Sequence, residues 1–153
     1  MYANLTNHFL IAMPNMADPN FAKTLTYICQ HDDKGALGIV VNRPGEMTLG
    51  TLLGKADISI ENDQWKSVPI YEGGPVQTDL GCVRHHPSGA WQSSLAVSDV
   101  AGLTTSRDVL LSMVAGNGPE KMIVALGYAG WAAGQLEHEI QQNGWLTVEA
   151  NLD

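Results

Sequence analysis

"TLTYICQHDDKGALGIVVN", Thr24–Asn42, is the stretch on which the fold turns. Leu25, Tyr27 and Cys29 alternate with Thr24, Thr26, Ile28 and Gln30, which is the period of a strand with two distinct faces. "DDKG" then favours a short turn, and "ALGIVVN" (Ala36–Asn42) reads as a second strand. Two strands joined by so short a link pair antiparallel, because a parallel pair needs a long crossover. The hairpin argues against a regular alternation of strand and helix.

The flanks extend that reading. "HFLIAM" (His8–Met13) is a short apolar strand stopped by Pro14, and "PNMADPNF" is a loop. Arg43-Pro44-Gly45 ends the hairpin. "TLGTLLGKA" offers Thr48 as N-cap and sets Leu49, Leu52 and Leu53 on one helical face. "VPIYEG", "GCVRHH" and "QSSLAVS" read as strands. "TTSRDVLLSMVAGNG" is a helix capped by Thr105 and stopped by Gly116, Gly118 and Pro119. "KMIVALGYA" (Lys121–Ala129) has no polar alternation and reads as a strand buried on both faces. "GQLEHEIQQNG" is a helix closed by Gly144, and "WLTVEA" is a last strand. The class is α+β, a largely antiparallel sheet with about three helices. No Pro/Gly/Ser-rich linker divides the chain, so residues 1–153 form one domain.

Composition bounds the function. Eight basic against sixteen acidic residues give a net charge of −8, and the basic residues are spread along the sequence. Such a chain is repelled by phosphate backbones, which disfavours nucleic acid as a partner. No apolar run approaches the length that spans a bilayer, and "FLIAM" is too short for a signal-peptide core. The expectation is a cytoplasmic protein, off the membrane, with Cys29 and Cys82 reduced and unbridged.

"YEGGPVQTDLGCVRHHPSG" (Tyr71–Gly89) holds glycines, prolines, a cysteine and two histidines. On a strand, Cys82, Arg84 and His86 share one face and His85 takes the other, so no Cys–His dyad forms locally. Adjacent strand residues diverge, which argues against a metal site at His85 and His86. No catalytic group, metal or cofactor is assigned. "GGPVQ" reads as a shaped turn entering a strand. "GYAGWAAGQ" (Gly127–Gln135) follows a strand and opens a helix, where backbone amides could face an anion. The candidate ligand-binding residues are Asp18, Arg43, Gly130, Trp131 and Gln135, with His31 as a further neighbour. Arg43 carries five donors in a fork suited to carboxylate or phosphate. The alternative for Asp18 and Arg43 is an ion pair that pins the loop.

"HFLIAMPNMADPNFAKTLTYICQHDDKGALGIVVNRP", "YEGGPVQTDLGCVRHHPSG", "GPEKMIVALGYAGWAAGQLEHEI" and "NGWLTVEAN" together resemble the bacterial AlgH/YqgE family, from about His8 to Asn151. The resemblance implies a sheet bent toward a pseudo-barrel. It implies no catalytic residues. Members are commonly labelled transcriptional regulators, a label at odds with the acidic charge and the missing helix-turn-helix pattern. Members usually continue beyond the point matched by Asp153, so the chain is expected to be a truncated or short member. The leading expectation is a non-catalytic binding or regulatory domain acting through a small ligand or a protein partner. An enzyme, with hydrolase the least strained class, and a DNA-binding regulator are the alternatives.

Overall fold

The structure is a computed structural model. It describes residues 4–14, 16, 18–19, 21–55, 68–86, 94–96, 102–105, 110 and 121–150. Ten strands and two helices lie among the described residues: β1 (His8–Ala12), β2 (Leu25–Asp32), β3 (Gly35–Val40), β4 (Pro44–Thr48), α1 (Leu49–Lys55), β5 (Pro69–Glu72), β6 (Val76–His86), β7 (Ser94–Ala96), β8 (Gly102–Thr104), β9 (Lys121–Ala132), α2 (Gln135–Gln141) and β10 (Trp145–Glu149). The main path of the sheet runs β10-β1-β2-β3-β9-β6-β8-β7, with β4 and β5 attached beside it. Pairing is antiparallel except between β5 and β9, and the path ends at β10 and β7 without closing.

The hairpin forms as its sequence implies. Asp33 and Lys34 make the turn between β2 and β3, and the Lys34 amide donates to Asp32 Oδ1 at 2.8 Å. The alternation, however, does not run unbroken. A bulge lies between Ile28, opposite Gly38, and Gln30, opposite Leu37. An unbroken strand would set His31 on the face of Tyr27 and Cys29. The extra residue instead turns His31 to the face of Ile28, toward α2.

Three apolar clusters hold the layers together. Leu49 and Leu53 of α1 pack on Ile70, Val83 and Val124, with Leu52 at the margin. Leu136 of α2 packs on Leu10, Ile28, Ala129, Trp131 and Trp145. Tyr27, Cys29, Ile39, Cys82 and Leu103 make the third. β2 therefore buries both faces, and each fully buried large side chain contributes about 2 kcal/mol.

The helix ends follow local rules. Thr48 Oγ1 accepts the Thr51 amide at 3.4 Å, as an N-cap does. At the end of α2, Asn143 takes the left-handed conformation (φ 60), its amide donates to the Ile140 carbonyl, and the Gly144 amide donates to the Glu139 carbonyl. This pattern caps the last turn. The left-handed step thus falls on Asn143, not on Gly144, where the sequence alone put the stop.

Four boundaries differ from expectation. "RPG" does not end the sheet: Pro44 opens β4, which pairs with β5 through Pro44–Tyr71 and Thr48–Pro69. Pro44 and Pro69 stand at strand starts, where a missing amide donor costs little. β6 begins at Val76, earlier than "GCVRHH", and β8 is a strand between β6 and β7. β9 runs on to Ala132, because Gly130 and Trp131 find partners in Leu37 and Ala36 of β3. The expected helix over "TTSRDVLLSMVAGNG" lies outside the described residues, apart from Thr104, Thr105 and Leu110, and Thr104 belongs to β8.

Candidate functional site

β9 carries a different partner on each edge. β5 lies parallel to it, with Tyr71 opposite Ala125 and Glu72 opposite Leu126. β6 lies antiparallel on the other edge, with Val76 opposite Tyr128 and Cys82 opposite Ala125. Only Gly73, Gly74 and Pro75 separate β5 from β6. The chain must therefore cross directly over the β9 backbone.

The glycines make that crossing possible. A Cβ on Gly73 would lie 2.3 Å from the Gly127 carbonyl oxygen. One on Gly74 would lie 2.3 Å from the Tyr128 carbonyl, and one on Gly127 would lie 2.5 Å from the Gly74 oxygen. Gly74 (φ 154) and Gly127 (φ 80) also adopt backbone conformations that side chains disfavour. The Gly73 amide donates to the Leu126 carbonyl, and its own carbonyl accepts from the Val40 amide, each at 2.8 Å. "GGP" is thus a turn entering a strand, as its sequence suggests, and it is also a backbone-on-backbone crossing.

A cleft of about 330 Å³ opens at the crossing, lined by Arg43, Glu72, Gly74, Pro75, Thr78 and Leu126. The Glu72 amide donates to the Arg43 carbonyl at 2.8 Å, which makes the two residues cross-strand neighbours beside the Pro44–Tyr71 pair. Arg43 Nη2 donates to the carbonyls of Pro19 (3.0 Å) and Ala22 (2.8 Å). These bonds fix the guanidinium plane and hold the 18–22 loop. Asn42 helps from the same corner: its Oδ1 accepts the Leu25 amide and its Nδ2 donates to the Lys23 carbonyl.

The other face of that loop borders a second cavity of about 280 Å³, where Asp18 and Gln135 meet Met16, Phe21, His138 and Glu139. The Asp18 carbonyl accepts the Phe21 and Ala22 amides, closing a turn. Gln135 accepts the Ala132 amide at Oε1 (3.0 Å) and donates through Nε2 to Glu139 Oε2 (2.9 Å). Trp131 is buried and stacks on Phe21, with ring centroids 5.9 Å apart. It also borders a hollow beside the hairpin turn with Gln30 and Lys34. Gly130 is exposed on β9, and among the described residues a Cβ there would meet only the edge of the Tyr128 ring, at 4.0 Å. The 18–22 loop thus touches both neighbourhoods. Asp18 and Gln135 share one cavity, while Arg43 lines the other.

Sequence reasoning passed over Glu139. Its Oε1 accepts the indole N–H of Trp131 (3.1 Å) and that of Trp145 (3.0 Å), while Oε2 accepts from Gln135. The two indoles meet edge to face at 6.2 Å. The signal available beforehand was the i, i+4 spacing of Gln135 and Glu139 on one helical face. Thr78 and Glu72 were also outside the candidate set. They join the cleft only because of the crossing and of the bulge between Val76 and Gly81.

His31 is buried in β2, where its Nδ1 accepts the Leu5 amide at 2.9 Å and its Nε2 lies 3.4 Å from Glu137 Oε2. This fastens the segment before β1 to α2. His85 is fully buried, with Nε2 2.7 Å from Thr104 Oγ1. Among the described residues, no three His, Cys, Asp or Glu side chains converge.

Cys29 and Cys82 form no disulfide, and both are buried in the third cluster. Burial pushes the Cys29 thiol far above its ordinary range, the neighbouring Cys82 adds to this, and Arg84 opposes it. Burial likewise pushes Cys82 up to about 11. Arg84 stacks over the Tyr27 ring, 4.3 Å from its centroid. Because these thiols hold their protons more tightly in the fold than in the unfolded chain, their contribution is complete below the ordinary thiol value, about 8.5. It is lost as pH rises toward 11. The urea midpoint should therefore fall between pH 9 and 11, and Cys82→Ala should flatten that fall. A midpoint as steep with Cys82→Ala as without it would assign the alkaline loss to other groups.

A family model described as AlgH-like matches residues 9–153. A UPF0301 protein of Azoarcus sp. is 57% identical over 98% of this chain and 80% of its own length. One from Nitrosospira multiformis is 57% identical over 97% of this chain and 80% of its own length. The solution structure of the AlgH protein from Pseudomonas aeruginosa superposes with a TM-score of 0.83 at 47% identity, covering 99% of this chain and 80% of that one. The crystal structure of protein DIP2367 from Corynebacterium diphtheriae shares the fold, with a TM-score of 0.74 at 17% identity over 98% of this chain and 78% of that one.

Proposed function

We propose that this chain, which belongs to the AlgH-like family, is a non-catalytic binding domain that holds a small ligand in the cleft at the strand crossing. The observation that carries the reading is the way the cleft is built. Its floor is backbone crossing backbone, which no side-chain rotation can fill, and Arg43 is already oriented by two carbonyls before any ligand arrives. An oriented guanidinium suits an anionic group such as a carboxylate or phosphate. The mixed polar and apolar lining is typical of small-molecule sites. No helix among the described residues is long and apolar enough to cross a membrane. The two unbridged cysteines support a reducing compartment, the cytoplasm, as its place of work.

The test is an amide-resolved NMR titration with small carboxylates and phosphate esters at millimolar concentration. The expected result is a set of shifts at Arg43, Glu72, Gly74, Thr78 and Leu126, reduced at least about tenfold in affinity by Arg43→Lys, which keeps the charge and loses the fork. No perturbation at these amides, or perturbation confined to another face, would refute the cleft as the binding site.

A further inference from the structure

We infer that the ligand of this cleft is a zwitterion of the amino-acid type, with its carboxylate at Arg43 and its ammonium at Glu72. The inference rests on the binding reading above and narrows it to one chemical class.

Among the described residues that line the cleft, one carries each sign, Arg43 and Glu72. Antiparallel neighbours of this kind start from Cβ atoms about 5 Å apart. The Arg43 head is drawn to Pro19 and Ala22. Among the described residues, the Glu72 carboxylate has no hydrogen-bond or ion-pair partner. The cleft is therefore bounded by a fixed positive group and by a carboxylate with open acceptor capacity.

That arrangement selects by sign. A simple anion near Arg43 also feels Glu72, and a simple amine near Glu72 also feels Arg43, so each meets one attraction and one repulsion. A molecule with both charged groups on one carbon meets two attractions. An ammonium supplies three donors, which a carboxylate with open lone pairs can accept. Thr78 adds a hydroxyl that can donate or accept, while Pro75 and Leu126 offer apolar surface for a side chain. The Gly74 wall has no side chain, and the volume of about 330 Å³ leaves room for a free amino acid with water beside it.

The experiment screens the twenty standard L-α-amino acids by amide NMR at the cleft residues. For the tightest of them, it then compares the matched acid lacking the amine and the matched amine lacking the carboxylate. The expected result is binding of the amino acid at least about tenfold tighter than either analogue, as a lost charged hydrogen bond implies. Glu72→Gln, an exposed substitution that leaves the thermal midpoint unchanged, should erase the preference over the amine-less acid while that acid still binds. Equal binding of the acid and the amino acid, or a preference that survives Glu72→Gln, overturns the zwitterion and leaves the anion site standing. Carboxylates or phosphates shifting the cleft with no amino acid doing so has the same meaning. Silence from every compound overturns both readings.

Discussion

Gly74→Ala will leave the protein unable to fold, or destabilise it by at least about 4 kcal/mol, the range reserved for a broken backbone fit. The added carbon would sit 2.3 Å from both the carbon and the oxygen of the Tyr128 carbonyl and 2.6 Å from the Ala129 nitrogen. All three are backbone atoms of the central strand, so none can swing aside as a side chain would. The residue's φ of 154 adds strain of its own. A domain is stable by only about 5–15 kcal/mol, so a loss of this size removes most of the margin. Gly54 supplies the control, because a Cβ there meets nothing within 4 Å among the described residues and the residue lies in α1. Gly54→Ala should stabilise by about 0.5–1 kcal/mol through the helix preference alone. Urea denaturation of the two variants checks both signs. A Gly74→Ala protein with a native midpoint would mean that the two backbones do not cross as described.

Glu139→Leu carries the second large effect, a loss of about 2–4 kcal/mol. Two indole N–H groups and one amide lose their acceptor together, and an orphaned buried donor costs about 1–3 kcal/mol. Part exposure of the carboxylate keeps the sum below the full value. Glu139→Gln retains one oxygen for the indoles and should lose about half as much. Double-mutant cycles with Trp131→Phe and Trp145→Phe locate the energy: each Phe should cost less in the Glu139→Leu background than in the wild type. Costs that simply add would show that the three side chains are not coupled.

Local chemistry explains what was legible in the sequence. The Thr24–Asn42 alternation, the Thr48 cap with its leucine stripe and the unbroken apolar run from Lys121 each obey rules that act within a few residues. These gave α1, the hairpin and the central strand. Long-range partners decided the rest. The bulge that turns His31 toward α2 comes from pairing with β3, and β4 survives its proline because β5 lies beside it. β9 extends through Gly130 and Trp131 because β3 offers an edge. The candidate site was half legible for the same reason. Arg43 stood out by its chemistry at a strand end, but Glu72 and Thr78 reach the cleft only through a crossing made with residues far along the chain. Trp131 and Gln135 stood out as well, and the structure employs both in holding Glu139.

The crossing also dictates when this protein can fold during its synthesis. Gly73 and Gly74 are stitched to Leu126, Gly127 and Tyr128, and β3, β5 and β6 all dock on β9. While the ribosome is still translating the segment before Lys121, the nascent chain has strands but no centre to place them on. The hairpin of β2 and β3 can form early, since its contacts are local. β5 and β6 must wait with unpaired edges until β9 emerges, and such waiting edges are exposed to aggregation. Assembly is therefore late and dominated by long-range contacts, and refolding should be slow for a domain of this size. The central strand is the last large piece of the sheet to be made, and it is the one that the others require.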